Sequence, residues 1–111
     1  MEEPNEMDIV GKWKNAENSM TIEVLYNKKT FSAKIIASRN PSDVGKIVLW
    51  GLTYNSKDKE WGNGYVQLPE MKHPADCFIR LSKNNTSEIT GYHVFRSLGR
   101  TQLFYKIAKL N

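Results

Sequence analysis

This chain has one cysteine, Cys77, and two histidines, His73 and His93, the residue types that most often bind zinc. A structural zinc site takes four Cys or His ligands, so this set is too small to build one. Cys77 and His93 have the residue types of a nucleophile and its base, but Cys77 stands in an apolar run with no group that would activate a thiol. We therefore expect no metal, no cofactor and no catalytic residue, with Cys77 as a buried inert thiol, His93 as a sheet residue and His73 as an exposed loop residue.

Carboxylates and glycines are equally uninformative about catalysis. Asp58 and Glu60 stand together in a turn, whereas glycosidase chemistry needs two opposed carboxylates across a cleft. Gly62 and Gly64 are not followed by a helix, so the geometry of a phosphate-binding loop is missing. We expect a solvated hairpin at this point of the chain.

The excess of Lys and Arg over Asp and Glu raises the question of a nucleic-acid partner. The formal charge is +4 and the isoelectric point is about 9.2, but the Lys and Arg residues are scattered rather than grouped in a block. Tyr92, Phe95, Arg96 and Arg100 interleave rings with cations, as in oligonucleotide-binding platforms. That fold has about five strands, and this chain has more, so we expect a solvated basic exterior and no nucleic-acid partner.

Aromatic side chains are the strongest candidates for a binding site. Trp and Tyr combine apolar faces with polar tips, which suits them to line a small-molecule pocket. The same residues fill solid barrel cores equally well, and Val48-Leu49-Trp50 is continuously apolar, so the side that Trp50 faces stays open. The residues predicted to line a ligand pocket are Trp50, Tyr54, Trp61, Tyr65, Phe95 and Tyr105.

Short alternating runs must position these side chains. Apolar and polar residues alternate in about eight stretches separated by turn residues, at 9–14, 20–26, 30–38, 46–54, 61–68, 75–81, 87–95 and 100–110. Regular short strands with hairpin-length links indicate an all-β, eight-stranded antiparallel up-and-down barrel with room for one small ligand. We predict one domain over 9–111 and a flexible N-terminal extension over 1–8. No stretch reaches the roughly 20 apolar residues of a membrane span.

The first strand carries a motif of a known barrel class. Gly11-Lys12-Trp13 resembles the Gly-x-Trp opening of lipocalins and related calycin barrels. In those folds the tryptophan closes one end of the barrel, and a basic side chain from the last strand lies across its ring. The resemblance implies Lys106 as that partner, with Arg100 second. A cation over an indole face gains about 0.5–2 kcal/mol.

A second resemblance covers most of the chain. It includes Gly11-x-Trp13, Trp61-x-x-Gly64, Cys77 with Leu81, and Gly99-Arg-Thr-Gln102 in this order and spacing. This set resembles an uncharacterised bacterial family of small, usually exported proteins with lipocalin-like barrels. The resemblance implies a periplasmic or secreted protein, although residues 1–8 do not have the pattern of a signal peptide.

The chain departs from that family at several positions. Relatives have Tyr-Asp-Pro where this chain has Gln67-Leu68-Pro69, a tyrosine at Ala75, a tryptophan at Phe104 and an arginine at Lys106. If the Tyr-Asp pair forms a polar site in relatives, this protein has lost it. We expect a non-enzymatic barrel with a pocket for a small apolar or amphipathic molecule. The alternative is a structural or protein-interaction module of the bacterial envelope with a solid core, for which a homodimer is one form of partner.

Overall fold

The predicted closed barrel is confirmed. The computed structural model describes residues 5–83 and 85–107, and its eight antiparallel strands pair in chain order, with β8 returning to β1. Closure leaves no unpaired sheet edge. The strands are β1 Gly11–Asn15, β2 Met20–Asn27, β3 Thr30–Ser38, β4 Ile47–Asn55, β5 Glu60–Val66, β6 Ala75–Ser82, β7 Thr86–Tyr92 and β8 Arg100–Lys106.

Three short 3-10 helices complete the described chain, at Glu6–Ile9, Pro41–Asp43 and Arg96–Leu98. The first begins with a capping box, in which the side chain of Asn5 accepts from the backbone of Met7 and the carboxylate of Asp8 accepts from the backbone of Asn5. Part of the predicted N-terminal extension therefore forms a capped helical turn, and residues 1–4 lie outside the described residues. Within the described ranges, no helix has the length and apolar character to cross a bilayer.

Strand β4 breaks the simple alternation on which the sequence prediction depended. Ala33 pairs with Leu49 while Lys34 pairs with Ile47, and Phe31 pairs with Leu52. Each step places one extra residue on β4 relative to β3, as in β-bulges. Consequently Val48 and Leu49 are both buried although they are consecutive.

A glycine allows β4 and β5 to approach closely. A Cβ atom on Gly64 would lie 2.6 Å from Cγ of Leu52 and 2.7 Å from the carbonyl oxygen of Trp50. No side chain fits there, so the close contact of the two strands requires glycine at this position.

The two ends of the barrel are built differently. At the end where β1 begins and β8 ends, the helix Glu6–Ile9 lies against two buried indoles. Trp13 donates from Nε1 to the carbonyl of Ile9 at 2.8 Å, and Trp61 donates from Nε1 to the carbonyl of Glu6 at 2.9 Å. We call this the closed end. The connections after β1, β3, β5 and β7 lie at the opposite end, which we call the open end.

Replacing Trp13 tests the closed end. Because the Trp13 side chain is buried, Trp13→Ala should lower the free energy of unfolding by about 3–5 kcal/mol, measured by urea denaturation. Trp50→Ala, which removes an equal side chain from a half-exposed position, is the matched control and should cost clearly less. Equal losses for the two variants would contradict a special role for Trp13.

Candidate ligand-binding cavity

A cavity of about 480 Å³ occupies the barrel interior toward the open end. Small-molecule sites span about 300–1,000 Å³, so this volume suits one small ligand. Its inner wall is made by apolar side chains of five strands, namely Ile22, Val48, Leu49, Val66, Ile89 and Phe104. Leu68, which follows β5, also lines the cavity.

Pairing between β7 and β8 sets which side chains face this cavity. Gln102 pairs with Ile89 and Arg100 pairs with Gly91. Side chains alternate between the two faces of a strand, so Arg100 and Gln102 share the inner face of β8 with the buried Phe104. These two residues bring polar groups to a lining that is otherwise mainly apolar.

Polar groups from two loops also reach the mouth. Glu70 comes from the connection between β5 and β6, and His93 follows the last residue of β7. The prediction that His93 lies inside a strand is wrong, because the chain leaves the sheet after Tyr92. His93 is instead an exposed loop residue.

Exposed apolar side chains are concentrated at the open end of the barrel. The five most exposed large apolar side chains of the described residues all belong to the open end, with exposed fractions from 48% to 79%. Val44 lies in the β3–β4 connection, Ile47 begins β4, and the β7–β8 connection carries Val94, Phe95 and Leu98. Three of them, Val94, Phe95 and Leu98, also line the cavity.

An ion pair on the outer face anchors the β7–β8 connection. Arg96 donates from Nη1 to Oε1 of Glu60 at 3.1 Å and from Nη2 to Oε2 of the same carboxylate. Its guanidinium also lies 4.1 Å from the ring centroid of Phe78. Arg80 donates to Oε1 of Glu60 as well, at 3.0 Å from Nη2. Arg96 therefore ties the loop that carries Phe95 and Leu98 to strands β5 and β6.

The charges of this cluster stabilise one another. Hydrogen bonds from Arg96, opposed by desolvation and helped by hydrogen bonds from Arg80, lower the pKa of Glu60 below its usual value. The same Glu60 contact raises the pKa of Arg96. The expectation of a solvated hairpin is wrong for Glu60, which is only 3% exposed because two guanidinium groups cover it.

The thiol of Cys77 is buried, as the sequence predicted. Burial raises the pKa of Cys77 to about 12, so the sulfur is a neutral thiol at pH 7 and a poor nucleophile. Among residues 5–83 and 85–107, no group of three His, Cys, Asp or Glu side chains is placed to hold a metal ion.

Of the six aromatic residues predicted for a ligand pocket, Phe95 lines the cavity. The other five lie elsewhere. Trp50 packs on Tyr65 with ring centroids 5.8 Å apart on the outer face, and Tyr105 is exposed. Tyr54 packs on the buried Trp61 at 4.7 Å, toward the closed end.

The four residues predicted to close the barrel divide between its two ends. Lys106 pairs with Trp13, and its Nζ lies 5.4 Å from the centroid of the Trp13 ring. Lys106 also donates to the carbonyl of Asp8 at 3.1 Å. Gly11 has a φ of +132°, and a Cβ there would meet Cε of Lys106 at 3.5 Å. Arg100 lies six residues before Lys106, about 20 Å along an extended strand, and lines the cavity instead.

Sequence reasoning did not identify most of the cavity lining. Ile89, Gln102 and Phe104 line the cavity but were not among the residues predicted for it. A usable signal was present in β8. Once Lys106 is placed over Trp13, every second residue back along the strand must face the interior.

Fold and site geometry together define the class of protein: this is a lipocalin-like β-barrel, closed at one end by a tryptophan. Protein HP1028 from the human pathogen Helicobacter pylori, which belongs to the lipocalin family, has a similar structure. The TM-score is 0.76 at 17% sequence identity, over 90% of this chain and 83% of that one.

The sequence also identifies the family. Residues 11–106 match the family described as "Uncharacterized protein conserved in bacteria (DUF2147)", and this chain belongs to that family. No curated protein matches the sequence.

The Glu60 cluster gives a pH-dependent prediction. Glu60→Gln removes the charge that two arginines share, and should lower the free energy of unfolding at pH 7 by about 1.5–3 kcal/mol. Because the pKa of Glu60 is lower in the folded state than its unfolded value of 4.5, the stabilisation is complete above that value and is lost as the pH falls through the lowered pKa.

Denaturation of both proteins between pH 7 and pH 3 measures this difference. The gap between wild type and Glu60→Gln should narrow below about pH 4.5. Glu23→Gln, a carboxylate without a side-chain partner among the described residues, should change stability by less than about 0.5 kcal/mol. A gap that stays constant down to pH 3 would contradict the ion-pair account.

Proposed function

We propose that this protein binds a small apolar or amphipathic molecule in the cavity at the open end, and that binding rather than catalysis is its activity. The observation that carries the proposal is the cavity of about 480 Å³ with an inner wall of Ile, Val, Leu and Phe side chains. Removing apolar ligand surface from water into such a site gives roughly 25 cal/mol per Å².

The apolar rim supports the same function. Monomeric proteins rarely place their most exposed apolar side chains in one contiguous region unless that region binds something. Here the three most exposed ones, Val94, Phe95 and Leu98, line the cavity from one connection, so an apolar ligand meets compatible surface where it enters. Arg96 stabilises this entrance by holding one side of the rim against the outer wall.

A second candidate function is a protein-interaction module that uses the outer face. Trp50 and Tyr65 form a half-exposed aromatic pair on neighbouring strands, and Tyr and Trp are enriched at protein interfaces. A homodimer that buries this pair would support this alternative. Size-exclusion chromatography with light scattering detects that state.

Filling the cavity tests the first function. N-phenyl-1-naphthylamine, a neutral probe that fluoresces in apolar surroundings, should bind the wild type saturably at micromolar concentration. Ala75→Phe adds a ring at a buried position that lines the cavity and should abolish the signal. Ala37→Phe adds the same ring at an exposed position and should leave binding unchanged.

Circular dichroism is the folding control for this comparison. Both variants must show the β-sheet spectrum of the wild type. Equal binding by the folded Ala75→Phe variant, or no binding by the wild type, would contradict a ligand cavity.

A further inference from the structure

The inner face of β8 changes from apolar to polar as it approaches the mouth. Phe104 is buried at the base of the cavity, and the next two residues on the same face are Gln102 and Arg100. A ligand lying along this strand would therefore contact an aromatic ring at its inner end, then an amide, then a guanidinium at the entrance.

The Arg100 side chain lines the cavity and makes no ion pair with any described residue. Within the part of the chain that the structure describes, neither Arg100 nor Gln102 has a side-chain hydrogen-bond or ion-pair partner. The other arginines of β6 and the rim differ, because Arg80 and Arg96 both bind Glu60. A guanidinium that lines a binding cavity without a partner is free to bind a ligand.

We propose that the ligand is an amphipathic anion, with an apolar chain packed toward Phe104 and an acidic head, carboxylate or phosphate, held by Arg100 and Gln102. The proposal rests on the cavity function proposed above. Arginine binds either acid through two parallel N–H donors, and the Gln102 amide supplies a further N–H. Both side chains are exposed at the mouth, so the head group keeps contact with water while its chain is buried.

Two other ionisable side chains line the cavity near Arg100 and affect which head group it favours. Glu70 lines the cavity from the β5–β6 connection and His93 from the β7–β8 connection. Glu70 makes no ion pair with Arg100 among the described residues, and its carboxylate would favour a cationic head instead. The sign of the preferred head group therefore decides between Arg100 and Glu70 as the determinant.

Displacement of N-phenyl-1-naphthylamine by four ligands of equal chain length tests the proposal at pH 7 and low salt. The ligands are dodecanoate, dodecyl phosphate, dodecanol and dodecylamine, each below its micellar concentration. The wild type should bind at least one of the two acids about tenfold more tightly than dodecanol, as expected for charge-assisted hydrogen bonds. Which acid binds more tightly distinguishes a carboxylate ligand from a phosphate ligand.

Arg100→Gln should reduce the acid-to-alcohol ratio to near one by weakening the binding of the acids. Arg39→Gln removes the same charge from an exposed loop at the same end that does not line the cavity, and should keep the tenfold ratio. Glu70→Gln should strengthen binding of the acids.

The outcomes separate the two proposals. If no ligand displaces the probe because the probe itself does not bind, the cavity function fails. If the probe and dodecanol bind but the acids bind no better, or dodecylamine binds most tightly, the cavity function stands and the acidic-head proposal is overturned. An acid preference that survives Arg100→Gln also overturns it.

Discussion

Closure of β8 onto β1 is the interaction on which the rest of this structure depends. Among the described residues, Trp13, Lys14 and Asn15 of β1 pair with β8. Backbone hydrogen bonds from Ile107 to Lys12 and from Ala16 to Leu103 flank these pairs. The Trp13 ring strengthens this seam by packing below Lys106 and by donating to the carbonyl of Ile9. Without the seam, β1 and β8 would be free sheet edges, and the interior would be open to water along its side.

The same interaction makes the two ends unequal. Trp13, Trp61 and Phe31 are large, fully buried rings, and a barrel of eight strands has little interior width. These rings occupy space that a ligand would need toward the closed end. Toward the open end the interior is lined mainly by aliphatic side chains, which leaves a cavity of about 480 Å³.

Charged side chains on the outer and inner faces of the barrel have different roles. On the outer face, Arg96 and Arg80 share the carboxylate of Glu60, and this cluster stabilises the fold and the position of the rim. On the inner face, Arg100 has no partner among the described residues. Arg100 therefore gains no stabilisation from an ion pair within the described chain. Its guanidinium is available to bind the head group of a ligand.

The all-β fold was predictable from the sequence because about eight short alternating runs with hairpin-length links are typical of an up-and-down barrel. The resemblance carried by the Gly-x-Trp motif also implied that Lys106 lies over Trp13. The wall of the cavity was less predictable. Extra residues on β4 make Val48 and Leu49 both face the core, and no local sequence pattern reveals on which side of such a bulge Trp50 emerges.

Aromatic content was also a poor guide to the site. Trp50 and Tyr65 pack against each other on the outer face. Trp61 is buried at the closed end, where its indole N–H donates to the carbonyl of Glu6. The lining depends instead mainly on ordinary aliphatic residues of several strands, and the position of Gln102 and Arg100 beside Ile89 and Gly91 follows from the register between β7 and β8. Register comes from long-range pairing, which a single sequence does not display.

A two-dimensional amide NMR titration with N-phenyl-1-naphthylamine tests the central claim, that the interior at the open end is a binding site, most directly. The account predicts saturable shifts at the residues that form the inner wall of β7 and β8, namely Ile89, Gly91, Gln102 and Phe104, with Trp50 and Tyr65 unaffected. Shifts confined to the Trp50–Tyr65 face, or no saturable shift inside the barrel, would contradict it.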